Sequence, residues 1–61
     1  MAEYVVEELN GNAVFRRNKV EAPSAIQAAS SLTGRTVTTG REPGMMWIRV
    51  KDEQGHVSEF H

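Results

Sequence analysis

The chain has no cysteine, so neither a disulfide framework nor a thiolate metal site can be built from it. Two histidines are too few for a histidine-built metal site without carboxylates. No apolar run approaches the ~20 residues that span a bilayer. Met1-Ala2-Glu3-Tyr4 carries no basic n-region and no apolar h-region, so no secretory signal is expected and a cytoplasmic protein is the default reading. Nor is there an excess of either charge: seven Lys and Arg stand against eight Asp and Glu, net −1. That is not the broad basic footprint of a nucleic-acid binder, nor the acidity of a disordered tail.

What is present is a chain of 61 residues, one domain over 1–61, near the lower size limit for independent folding. At this length folding buries about 5,900 Å². If about 60% of it is apolar, burial contributes on the order of 90 kcal/mol at ~25 cal/mol per Å². Ordering the residues at ~1.5 kcal/mol each opposes it by about the same amount. The margin is narrow. Small domains widen it with disulfides, a metal or a partner subunit, and the composition leaves the partner, so self-association is expected.

One stretch reads as a helix, Ala22 to Gly34. Ser24 and Gln27 have capping-box spacing, in which the Ser hydroxyl accepts from the N–H of residue 27 and the Gln side chain reaches back to the N–H of residue 24. Pro23 sits just outside that cap, where its missing N–H costs nothing. Gly34 suits the left-handed position that ends many helices. Ala25, Ala28, Ala29 and Leu32, with Ile26 at the margin, make a stripe of mostly small side chains. Such a helix can lie close on a sheet, but it brings little apolar area of its own.

The rest reads as strand and turn. Glu3 to Leu9 and Ala13 to Val20 are rich in β-branched and aromatic residues, and Asn10-Gly11 between them is a strong hairpin signal. A two-residue type I′ loop at Asn10-Gly11 places Leu9 opposite Asn12, Val6 opposite Phe15 and Tyr4 opposite Arg17. A type I turn with a bulge at Gly11 shifts this by one residue. In the first register one face carries Tyr4, Val6, Ala13 and Phe15, and the other carries Val5, Glu7, Leu9, Val14 and Arg16. Neither face is cleanly polar, although a half-exposed antiparallel sheet normally alternates. The surplus of Val5, Leu9 and Val14 is either scattered exposure or a patch that another subunit covers.

After the helix, Thr36 to Thr39 is a short edge-strand candidate and Gly40-Arg41-Glu42-Pro43-Gly44 is a loop. Met45 to Lys51 is the strongest strand of the second half. Asp52-Glu53-Gln54-Gly55 fits a type I turn followed by a Gly bulge, and His56 to Phe60 returns. The turn sets Lys51 opposite Val57, Arg49 opposite Glu59, Ile48 opposite Phe60 and Trp47 opposite His61. Met46, Ile48, Val50, Ser58 and Phe60 then form the face that lies under the helix. The fold class is α+β: an antiparallel sheet of four or five strands with one helix on one face, in the order ββαβββ.

No catalytic constellation is visible. His56 and His61 fall on opposite faces of a strand, the serines have no base placed beside them, and Asp52 to Gly55 lacks the spaced oxygens of a calcium loop. The loop at Gly40–Gly44 lacks the Gly-Lys-Ser/Thr ending of a phosphate-binding loop. Neither enzymatic activity nor a cofactor or metal is expected.

Trp47 is the most informative residue outside the helix. Beside Arg49 it is an interface anchor, a stacking platform for a base, a ring lying over the aliphatic stem of the arginine or, in another register, simply core. Two functional readings follow. The first is a small cytoplasmic protein-interaction module, homodimeric, associating through Val5, Leu9, Val14 and Trp47 or by edge pairing of strands. The alternative is a nucleic-acid-binding accessory that uses Trp47 with Arg16, Arg17, Arg49 and Lys51. Glu7 and Glu8 lie across the same hairpin as the Arg16–Lys19 cluster and weaken that second reading.

Overall fold

The computed structural model describes residues 2–34, 36–40 and 46–61. Five elements follow in order: β1 (Ala2–Asn10), β2 (Ala13–Ala22), α1 (Ala25–Thr33), β3 (Met46–Lys51) and β4 (Val57–Phe60). The strands form one antiparallel sheet in the order β2-β1-β3-β4. The α+β class, the single helix and a four-stranded sheet match the sequence reading.

Helix α1 forms where its punctuation places it. The Ser24 hydroxyl accepts from the N–H of Gln27, answering one of the orphan donors of the first turn. Gly34 closes the helix at φ 72°, and its N–H donates to the Ser30 carbonyl. Between the caps Ala28 and Ala29 are fully buried against the sheet. Small side chains there allow close approach, so the larger apolar volume comes from the strands: Val6, Ile48, Val50 and Phe60 complete the core with Ala22 and Val37. Tyr4, Val20, Ala25 and Leu32 pack around its margin.

The second hairpin has the register that its turn implies. Ile48 faces Phe60, Arg49 faces Glu59 and Lys51 faces Val57. The Gly55 N–H donates to the Asp52 carbonyl at 3.1 Å, while Asp52 Oδ1 accepts from the N–H groups of Gln54 and His56. Two β-type connections to the edge of β4 follow from Thr38, whose N–H and C=O both pair with His61. Thr36 to Thr39 is nonetheless no fifth strand: it makes an isolated bridge, Thr39 to Phe60, so the order is ββαββ.

The first hairpin departs from expectation. The loop is two residues, but they are Gly11 and Asn12, with Asn10 opposite Ala13 and Leu9 opposite Val14. Gly11 has φ 61° while no non-glycine residue has positive φ among the described residues. That is the pattern of a type II′ turn, with glycine at the first central position, rather than the I′ turn that Asn-Gly suggests. A bulge between Glu8 and Leu9 shifts the register once more. Beyond it Tyr4 faces Val20 and Val6 faces Asn18, in place of Arg17 and Phe15.

This register has a tertiary cause. β1 is an interior strand, paired with β3 as well as β2, with Val6 opposite Val50 and Leu9 opposite Trp47. Its even-numbered residues Tyr4 and Val6 must therefore meet the helix-side core, and a one-residue slip would turn every side chain to the wrong face.

Candidate functional site: the open face of the sheet

The helix covers one face of the sheet, and among the described residues no helix or strand covers the other. On the open face side chains stand in rows that cross the strands, since residues directly opposite in antiparallel pairs share a face. The first row is apolar: Val14 on β2, Leu9 on β1 and Trp47 on β3. The second is ionic and crosses all four strands: Arg17, Glu7, Arg49 and Glu59. The third is Lys19, Val5, Lys51 and Val57. The signs in the ionic row alternate.

Glu7 is the hinge of that row. Its Oε1 accepts from Arg49 Nε at 2.6 Å, and its other oxygen lies 3.8 Å from Arg17. The carboxylate is 14% exposed against 68% for the Arg17 side chain, so Arg49 holds it and Arg17 only neighbours it. The exposed Arg17 pair contributes little on its own.

The first row is where the face differs most from an open platform. Trp47 is 4% exposed and Leu9 2% exposed. The indole Nε1–H donates to the Gly11 carbonyl at 2.6 Å, and the Arg49 guanidinium lies 5.9 Å from the ring centroid. The Trp47 ring is thus fixed under Arg49 and against the hairpin turn, with no free face offered for stacking. Val14, by contrast, is 45% exposed, and Val57 in the third row is 53% exposed.

Between the second and third rows lies a groove of about 680 Å³, lined by Val5, Glu7, Arg17, Lys19, Arg49, Lys51 and Val57 together with Asn18. Four cationic side chains thus meet one carboxylate in a chain whose net charge is −1. Among the described residues neither Lys19 nor Lys51 forms an ion pair.

Of the residues singled out in the sequence, Val5, Leu9, Val14, Trp47 and Arg49 share this face. Arg16 does not. It lies on the helix side, paired with Glu8, and its guanidinium donates to the Leu32 carbonyl at 3.2 Å. The bulge puts it there by changing the alternation of β2. A cation against the last-turn carbonyls is favourable for α1, whose own last turn has no basic residue. Sequence reasoning places Lys19 in the basic cluster and Glu7 across the hairpin from it, but it misses the pairing of Glu7 with Arg49. Only the long-range β1–β3 register brings Glu7 to Arg49.

The histidines stay apart. His56 bonds Asp52 Oδ2 at 3.1 Å, and His61 Nδ1 lies 3.3 Å from the Gly40 carbonyl. Among the described residues no group of three or more His, Asp or Glu is placed to hold a metal ion, and no helix is long and apolar enough to cross a membrane. The loop candidate Arg41-Glu42-Pro43-Gly44 lies outside the described residues. No family model, curated protein or solved structure matches this chain.

Proposed function

We propose that this protein is a small cytoplasmic interaction module that works by docking a partner on the open face of its sheet, and that the partner is a second copy of the chain. The observation that carries this reading is the third row. There the exposed valine Val57 and the partly buried Val5 alternate with Lys19 and Lys51, which have no ion-pair partner among the described residues. A face with apolar positions and uncommitted charge suits a specific, modest-affinity contact. Sedimentation equilibrium from micromolar to millimolar concentration tests it. A monomer–dimer equilibrium is expected, and a single 6.8 kDa species throughout would end the reading.

The groove also supports a second reading, contact with a nucleic-acid backbone, because four of the seven basic residues line it. Against it stands the enclosed Trp47 ring, since single-strand binders without sequence preference stack bases on accessible aromatics. A gel-shift titration with single-stranded oligothymidine at low salt separates the two. No retardation is expected. Retardation that fades with added salt would put nucleic acid in place of the second copy.

A further inference from the structure

The ionic row carries more than the existence of a docking face, because its sign pattern specifies how two copies meet. Arg17, Glu7, Arg49 and Glu59 occupy β2, β1, β3 and β4 in one register row. Read from either edge, the signs alternate, and the pattern is antisymmetric about the line between β1 and β3. We infer that the protein self-associates face to face about a two-fold axis running along the strands between β1 and β3, so that Arg17 meets the partner's Glu59 and Glu7 meets the partner's Arg49. This rests on the self-association reading above and adds its geometry.

An isologous interface applies the same surface to itself, with residue i meeting j and j meeting i. A two-fold axis along the strands reverses the row, and a reversed alternating row of four places opposite signs face to face at all four positions. The third row is compatible with the same axis: Lys19 comes over the partner's Val57 and Val5 over the partner's Lys51. No like charges confront each other there, and lysine stems can lie across valines. The other in-plane two-fold, perpendicular to the strands through the ionic row, stacks each residue on its own copy. Arg17 would meet the partner's Arg17, and Glu7 the partner's Glu7. The row therefore favours one packing and opposes the other, as specific interfaces commonly do.

Distances permit the contact. Packed sheets lie ~10 Å apart, a gap that an arginine and a glutamate can bridge from opposite sides. Strand spacing of ~4.8 Å puts β2 and β4 about 7 Å from the axis. The ~30° angle of aligned sheets then displaces the outer pair by a few ångströms, within the reach of the side chains.

Arg17 and Glu59 make the cleanest test, because they sit on opposite edge strands and do not pair with each other within one copy, Arg17 lying only at 3.8 Å from Glu7. Both are exposed, so charge reversal leaves the core untouched, and circular dichroism reads whether each variant keeps the fold. Arg17→Glu alone and Glu59→Arg alone are each expected to weaken the dimer by about tenfold or more in sedimentation equilibrium. An equimolar mixture of the two variants is expected to recover association as a heterodimer, since both outer contacts are then attractive. Should a reversal fail to fold, the neutral Arg17→Gln and Glu59→Gln replace it, each weakening the dimer by about threefold, and their mixture recovers part of the association because the heterodimer keeps one of the two Arg17–Glu59 contacts. A dimer that neither substitution weakens, or a mixture that stays dissociated, overturns this geometry while self-association stands. A monomeric wild-type chain overturns both.

Discussion

The indole N–H of Trp47 donates to the main-chain carbonyl of Gly11 at 2.6 Å, joining the third strand to the turn of the first hairpin across 36 residues of sequence. It anchors a buried tryptophan on the sheet face that points away from the helix. The ring is 4% exposed, and its one polar atom is satisfied as buried indoles require. The same contact holds the Gly11–Asn12 loop in place and with it the register of β2.

Trp47→Phe keeps most of the ring area but leaves the Gly11 carbonyl without its donor. It is expected to lower stability by about 1–2 kcal/mol, read as a lower urea midpoint. In the wild type, Trp47 emission is expected to be blue-shifted and poorly quenched by acrylamide. Emission near that of free indole with full quenching would show the ring exposed and the bond absent.

The helix caps have separate signatures. Ser24→Ala removes the acceptor for the Gln27 N–H and is expected to cost about 1 kcal/mol. Gly34→Ala puts a Cβ on a residue at φ 72° and is expected to cost a similar ~1 kcal/mol, although a Cβ there would meet no heavy atom within 4 Å. Strain is then the whole effect. Thermal melts of the two variants and their double mutant would check this, with the effects not expected to be additive because they share one helix.

Glu7→Gln leaves Arg49 and Arg17 flanking a neutral amide. With Glu7 14% exposed and Arg49 37%, solvent screens part of the loss, and about 1 kcal/mol of destabilisation is expected. The loss should shrink as salt is added. Equal destabilisation at low and high salt would mean that packing, not charge, makes Glu7 matter.

The Asp52 turn supplies a pH dependence. Desolvation pushes its carboxyl pKa up, but the N–H donors of His56 and Gln54 and the His56 ring outweigh it, so the folded value lies below the ordinary one. A depressed carboxylate pKa contributes stability that is present above the unfolded value and is lost as pH falls through the folded value. The melting temperature is therefore expected to fall below about pH 4. In Asp52→Ala that part of the acid response should be missing.

Much of this fold is legible without the structure, and the boundary of legibility is physical. The helix and the β3–β4 hairpin announce themselves through local chemistry: a hydroxyl three residues before an amide, a glycine at a left-handed position, an Asp at the first turn position. Each such feature is decided within a few residues and survived into the structure unchanged. The first hairpin carries an equally strong local signal, yet Asn10-Gly11-Asn12 is compatible with more than one turn because glycine accepts positive φ at either central position. Local chemistry alone left that choice open.

Tertiary pairing closed it. β1 has partners on both sides, and burying Val6 beside Val50 and Leu9 beside Trp47 outweighs any preference of a two-residue loop. The same long-range pairing removed Arg16 from the open face and aligned Glu7 with Arg49, building an ionic row from residues of four different strands. By itself the sequence determined a one-helix α+β domain without cysteine, the caps of its helix and the register of its last hairpin, since these depend on neighbours in the chain. Only the tertiary structure decided which side chains share the uncovered face, because that depends on register between strands more than forty residues apart, where each one-residue slip exchanges the two faces.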